Sequence, residues 1–144
     1  MYNRLMAIVY LSLGSNIGDR VGYIQQATSL LSAHQDINIV TTSSFYETEP
    51  WGMESENWFV NAVIQITTTL SPESLLDECQ RIETQLGRKR NGQGYSDRTI
   101  DIDIIFYDKL IIMLTKNVKS CYIQRRFHML NFVICDDEEH MLNR

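Results

Sequence analysis

Asp101 and Asp103 stand one residue apart in the run Thr99-Ile100-Asp101-Ile102-Asp103-Ile104-Ile105-Phe106. Side chains alternate along a strand, so both carboxylates would leave one face while Ile100, Ile102 and Ile104 leave the other. Their Cα atoms would then lie roughly 6.5–7 Å apart. Such a pair can flank two metal ions about 3.5–4 Å apart, the arrangement of many phosphoryl-transfer sites. Magnesium suits it, because that ion takes one or two carboxylates and completes its shell with phosphate oxygens and water. The loop glycine and terminal Glu of an EF-hand are missing. In isolation the pair is more simply a strand with one solvated face, and both readings stand at this point.

Immediately upstream, the segment 87–98 carries four of the chain's thirteen basic residues, Arg88, Lys89, Arg90 and Arg98, together with three glycines. Guanidinium groups beside a carboxylate pair can neutralise phosphate oxygens that a metal ion does not reach. Twelve residues without periodicity are also longer than a plain connection requires and fit a binding loop or lid. The alternative is a solvated charged loop. No G-x-x-x-x-G-K-[ST] stretch occurs, so the chain is not a P-loop protein. A third group, Thr48, Trp51, Trp58, Phe59 and Asn61, offers flat apolar surface and an amide that donates and accepts. That combination suits a planar heterocycle, although without context ordinary core and loop packing accounts for it more simply.

The elements that must position these groups follow from periodicity. Residues 6–13 read as a buried strand closed by Gly14. Ser15 or Asn16 is the expected cap of a helix running to about residue 33, with Asp19 in its first turn. A second strand is expected at 37–46, a loop at 47–57 and a third strand at 59–69. Ser71, Pro72 and Glu73 mark a helix start. Leu75, Cys79, Ile82 and Leu86 mark its buried face, Gln80 and Glu83 a different face, and Gly87 its end. A fourth strand covers 99–106. The order β-α-β-β-α-β predicts an α+β, ferredoxin-like sandwich, with helices covering an antiparallel sheet.

Composition narrows the class. One domain over 1–144 is expected from 144 residues, with a hydrophobic fraction of 44% typical of a globular chain. A formal net charge of -5 argues against a nucleic-acid partner. No apolar run approaches the ~18 residues of a membrane span. The start lacks the pattern of a signal peptide, and Cys79, Cys121 and Cys135 show no paired spacing. A cytoplasmic protein with free thiols, acting on small molecules as a monomer or weak dimer, is the expectation.

Taken together the motifs resemble one family. Leu13-Gly14-Ser15-Asn16-Ile17-Gly18-Asp19, Ser43-Ser44-Phe45-Tyr46-Glu47-Thr48-Glu49-Pro50-Trp51-Gly52 and Phe59-Val60-Asn61-Ala62 stand in its order and spacing. So do Gln80-Arg81-Ile82-Glu83, Gly87-Arg88 and Arg98-Thr99-Ile100-Asp101-Ile102-Asp103-Ile104. Across roughly residues 7–112 the chain is similar to 6-hydroxymethyl-7,8-dihydropterin pyrophosphokinases. The resemblance implies transfer of the diphosphate of ATP to the pterin hydroxymethyl group, releasing AMP, in folate biosynthesis. It implies that Asp101 and Asp103 bind two magnesium ions and that Arg88 and Arg98 join them in catalysis. Gln80, Glu83, Arg88, Arg98, Ile104 and Arg125 would serve ATP. Thr48, Trp51, Phe59, Asn61 and Phe127 would serve the pterin, Phe59 by stacking and Asn61 through the ring amide. Arg90 and Tyr95 would belong to a loop that closes over the reactants.

The resemblance fades in 113–144. The family's His-Pro segment, whose histidine helps bind ATP, has no counterpart there, which implies weaker nucleotide binding. A divergent, incomplete or frame-altered C-terminal part is one expectation, and His140 reads as a surface residue. A catalytically impaired pterin- or nucleotide-binding relative is the alternative function. An RNA-binding domain of the same element order is disfavoured by the charge and the paired aspartates.

Overall fold

In the computed structural model the described residues are 5–50, 55–89 and 97–108. Trp51, Arg90, Tyr95, Arg125, Phe127 and the divergent tail lie outside them. The elements run β1 (Ala7–Ser15), α1 (Arg20–Ala33), β2 (Ile37–Thr42), β3 (Tyr46–Thr48), β4 (Phe59–Thr68), α2 (Pro72–Gln85) and β5 (Asp101–Tyr107). All strand pairs are antiparallel, in the order β2-β4-β1-β5, with β3 also on β4. The α+β, ferredoxin-like expectation is met.

Alternation along the strands sends Val9, Leu11, Leu13, Ala62, Ile64, Ile66, Ile100 and Ile102 to one face, where they are buried. Both helices dock there, α1 through Ile24, Ala27 and Leu31 and α2 through Leu75, Cys79 and Ile82. Each fully buried Leu or Ile contributes about 1.5–3 kcal/mol through apolar area removed from water. Cys79 is buried within this core. No helix among the described residues is long and apolar enough to cross a membrane.

Three boundaries differ from the sequence expectation. β1 continues through Gly14 to Ser15, because both neighbours still pair at Gly14 and β4 pairs on to Ser15. A side chain at Gly14 would place its Cβ 3.0 Å from Asn61 Oδ1, so the glycine provides close approach within a central strand instead of ending it. The cap of α1 is Asp19, whose carboxylate accepts from Gly22 N at 3.0 Å. Ser15 is still in the strand, and Asn16 uses its side chain elsewhere. Finally, the expected strand 37–46 is broken. The Ser43 hydroxyl accepts from Val63 N at 2.8 Å in place of a main-chain carbonyl, and pairing resumes only at Tyr46.

Candidate active site

Gly14 pairs with Asn61 of β4 on one side and with Asp101 of β5 on the other. Directly opposed residues of antiparallel strands project to the same face. The proposed heterocycle ligand and the first aspartate therefore emerge level with each other, about 10 Å apart across one intervening strand. Ser12 pairs with Asp103, and Thr48 of β3 pairs with Phe59. By the same alternation, Asp103, Phe59 and Thr48 share that face, which is the one opposite the helices.

On the β4 side Asn61 is buried, and its Nδ2 donates to Thr48 Oγ1 at 2.8 Å. That bond fixes which end of the amide is free to meet a ligand. Phe59 is partly buried, with Cδ1 3.6 Å from the position of a Cβ on Gly14. Trp58, grouped with them by sequence, is instead exposed. Its carbonyl accepts from Arg20 Nη1 at 2.9 Å.

On the β5 side the charges are tightly interleaved. Arg88 Nη1 lies 2.7 Å from Glu83 Oε1 and 2.8 Å from Asp101 Oδ1, while Arg98 Nη1 lies 3.2 Å from Asp101 Oδ2. Glu83, Arg98 and Asp101 are each buried. The end of α2 explains how Arg88 arrives there. Gly87 takes φ +87°, Gly87 N donates to Thr84 O at 3.0 Å and Arg88 N to Glu83 O at 3.0 Å. This is a Schellman close, which turns the chain off the helix toward β5.

Glu83 differs from its expected placement. It sits on the buried side of α2, because its carboxylate accepts from Ile102 N at 2.8 Å on the strand edge that β1 does not use. It thus meets both Arg88 and the main chain of β5. Gln80, one turn earlier, is half-buried, and Ile104 is partly buried against the apolar core.

Could the paired aspartates hold magnesium? The donors are all carboxylate oxygens, hard ligands suited to that ion. Among the described residues no group of three or more His, Cys, Asp or Glu forms a complete cage. Asp101 and Asp103 are separated by Ile102 on β5, so both carboxylates leave the same face of the strand. The residues fit the ion.

Sequence reasoning missed two members of this neighbourhood, Asn16 and Asp97. Asn16 was legible only as a helix cap, and Asp97 as one more polar loop residue. Asp97 accepts from Asn16 Nδ2 at 2.7 Å, Ser55 Oγ at 2.7 Å and Asn57 Nδ2 at 2.9 Å.

Comparison with known proteins decides the class. A family model described as 7,8-dihydro-6-hydroxymethylpterin-pyrophosphokinase matches residues 10–135. The chain belongs to this family. It is 50% identical over 104 residues to the 2-amino-4-hydroxy-6-hydroxymethyldihydropteridine pyrophosphokinase of Porphyromonas gingivalis, covering 71% of this chain and 70% of that one. It is 43% identical over 129 residues to the enzyme of that name from Haemophilus influenzae, covering 90% and 78%. With the Aquifex aeolicus protein of the same name the identity is 38% over 122 residues, covering 84% and 74%. The family match runs to residue 135, past residue 112 where the motif resemblance fades.

Proposed function

We propose that the open sheet face at Gly14 is where ATP and a reduced pterin meet, with the pterin on the β4 side and the triphosphate on the β5 side. The reaction is the family's: the diphosphate of ATP passes to the hydroxyl of 6-hydroxymethyl-7,8-dihydropterin, giving the pterin diphosphate and AMP, in folate biosynthesis. The observation that carries the site assignment is the shared register of Asn61, Gly14 and Asp101.

On this reading Phe59 stacks on the pterin ring, and Asn61, its Nδ2 already given to Thr48, recognises the ring amide. Trp51 and Phe127 would also serve the pterin, as the family resemblance implies. Arg88 and Arg98 hold phosphate oxygens as charge develops on them during transfer. Their guanidiniums are oriented beforehand by Asp101 and Glu83, so little reorganisation is needed at the moment of reaction. Gln80, Ile104 and Arg125 would serve the nucleotide, as the family resemblance implies. Asp101 and Asp103 would hold magnesium, two ions on the spacing of the pair. A magnesium ion held by these carboxylates would supply positive charge to the phosphate oxygens and Lewis-acid activation of the pterin hydroxyl. Catalysis otherwise rests on alignment of the pterin oxygen with the β-phosphorus of ATP.

The test is direct. The protein with ATP, magnesium and the reduced hydroxymethyl pterin should yield AMP and pterin diphosphate in equal amounts, followed by phosphorus NMR. Asp103→Ala should lower that rate at least about a hundredfold, the scale for losing one group that stabilises a transition state. Turnover of Asp103→Ala at the wild-type rate would remove the metal-ligand assignment.

A further inference from the structure

We propose that Asn16 and Asp97 form a latch that positions Arg98 and ties the pterin-side strand to the phosphate side of the site. This role deepens the functional reading above and rests on it for the catalytic part assigned to Arg98.

The geometry is two-sided. Asn16 is buried, and it grips the main chain of Arg98 at both polar groups: its Oδ1 accepts from Arg98 N at 2.7 Å, and its own N donates to Arg98 O at 3.2 Å. With Oδ1 on an N–H donor, Nδ2 must face acceptors, and it does. It donates to Asp97 Oδ1 at 2.7 Å and to Asn57 O at 3.3 Å. The amide orientation is therefore dictated from both ends. Its grip leaves the Arg98 guanidinium aimed at Asp101, 3.2 Å away.

Asp97 spreads the constraint. Beyond Asn16, its carboxylate accepts from Ser55 Oγ and Asn57 Nδ2, while Asn57 N donates to Ser55 Oγ at 3.1 Å. Asn57 is two residues before Phe59, where β4 and the proposed pterin contacts begin. Three separate stretches, the ends of β1 and of the 87–98 segment and the approach to β4, thus converge on one carboxylate. Neither Asn16 nor Asp97 needs to touch a substrate for this effect. A displacement of about 1 Å in an aligned group can cost a hundredfold in rate.

Asn16→Ala is expected to lower kcat by about ten- to a hundredfold. In an Arg98→Ala background the same change should cost little more, because the latch acts through Arg98. A full, multiplicative loss in that background would overturn the positioning role, as would wild-type kcat and pterin KM in Asn16→Ala itself. Limited trypsin digestion, with cleavage after Arg98 located by mass spectrometry, reads the latch without turnover. Cleavage there should quicken in Asn16→Ala while Arg81 within α2 stays intact, and unchanged protection of the Arg98–Thr99 bond would refute the latch. Should Asn16→Ala fail to fold, the exposed Asp97→Asn is read by the same two measurements. Absence of turnover in the wild-type protein would instead sink the reading of the reaction, and the digestion would still decide the latch.

Discussion

Glu83 is the clearest case of a residue whose chemistry and stability roles are inseparable. An acid buried this deeply is costly unless paired, and here Arg88 and the Ile102 N–H share the load. Removing Glu83 leaves the buried Ile102 N–H without its acceptor and Arg88 with Asp101 alone of the two carboxylates, so Glu83→Ala should destabilise the fold by about 3 kcal/mol. Glu83→Gln should cost less, because its amide oxygen can still accept from Ile102 N. Urea unfolding of the three proteins checks both. An unfolding midpoint for Glu83→Ala equal to wild type would mean that Arg88 and β5 are held by something else. The identity of Glu83 as a polar helix residue was plain in the sequence. Its burial was not, because the partner that draws it inward is a main-chain N–H nineteen residues away in the chain.

Among the elements, α2 was the most legible, and for local reasons. Ser71 accepts from Ser74 N as the N-cap, Pro72 opens the helix and Gly87 ends it, all as the residue types dictate. Gly87 has nothing within 4 Å of a Cβ position, so Gly87→Ala meets no clash and pays only for a left-handed backbone. That is about 1–2 kcal/mol, and it should be accompanied by a fall in kcat, since the same turn delivers Arg88 to Asp101. Thermal unfolding and steady-state rates measure the two effects, and a variant with unchanged stability would contradict the turn's assigned role. β1 and β2 were read less well. In the sequence Gly14 reads as a stop signal, because its reason for being glycine, the closeness of Asn61 Oδ1, lies on another strand. The break after Thr42 likewise depends on a Ser43 hydroxyl reaching Val63.

At the scale of the whole molecule, the face bearing the site was predictable from alternation, but the level at which Asn61 and Asp101 meet was not. Register is a property of strand pairs, and no single strand encodes it. The same holds for the convergence of three chain segments on Asp97. Hydrogen bonds from Ser55 first, then Asn16 and Asn57, with the charge of Arg98, hold its carboxyl below the usual carboxylate range against the opposing effect of burial. A depressed folded-state value means stabilisation that is complete above the unfolded pKa of about 3.9 and is lost as pH falls through the lower, folded value. The stability difference between wild type and Asp97→Asn, from denaturant titrations at several pH values, should therefore be constant near neutrality and shrink in acid. A difference that grows in acid would reverse the sign and exclude the tether. The central claim is that one sheet face, level with Gly14, brings phosphate chemistry on β5 to a pterin held on β4. Its most direct measurement is AMP formation by Asp101→Asn set beside that variant's affinity for the pterin. The account predicts a rate lowered at least about a hundredfold with pterin binding retained; wild-type AMP formation by Asp101→Asn would contradict it.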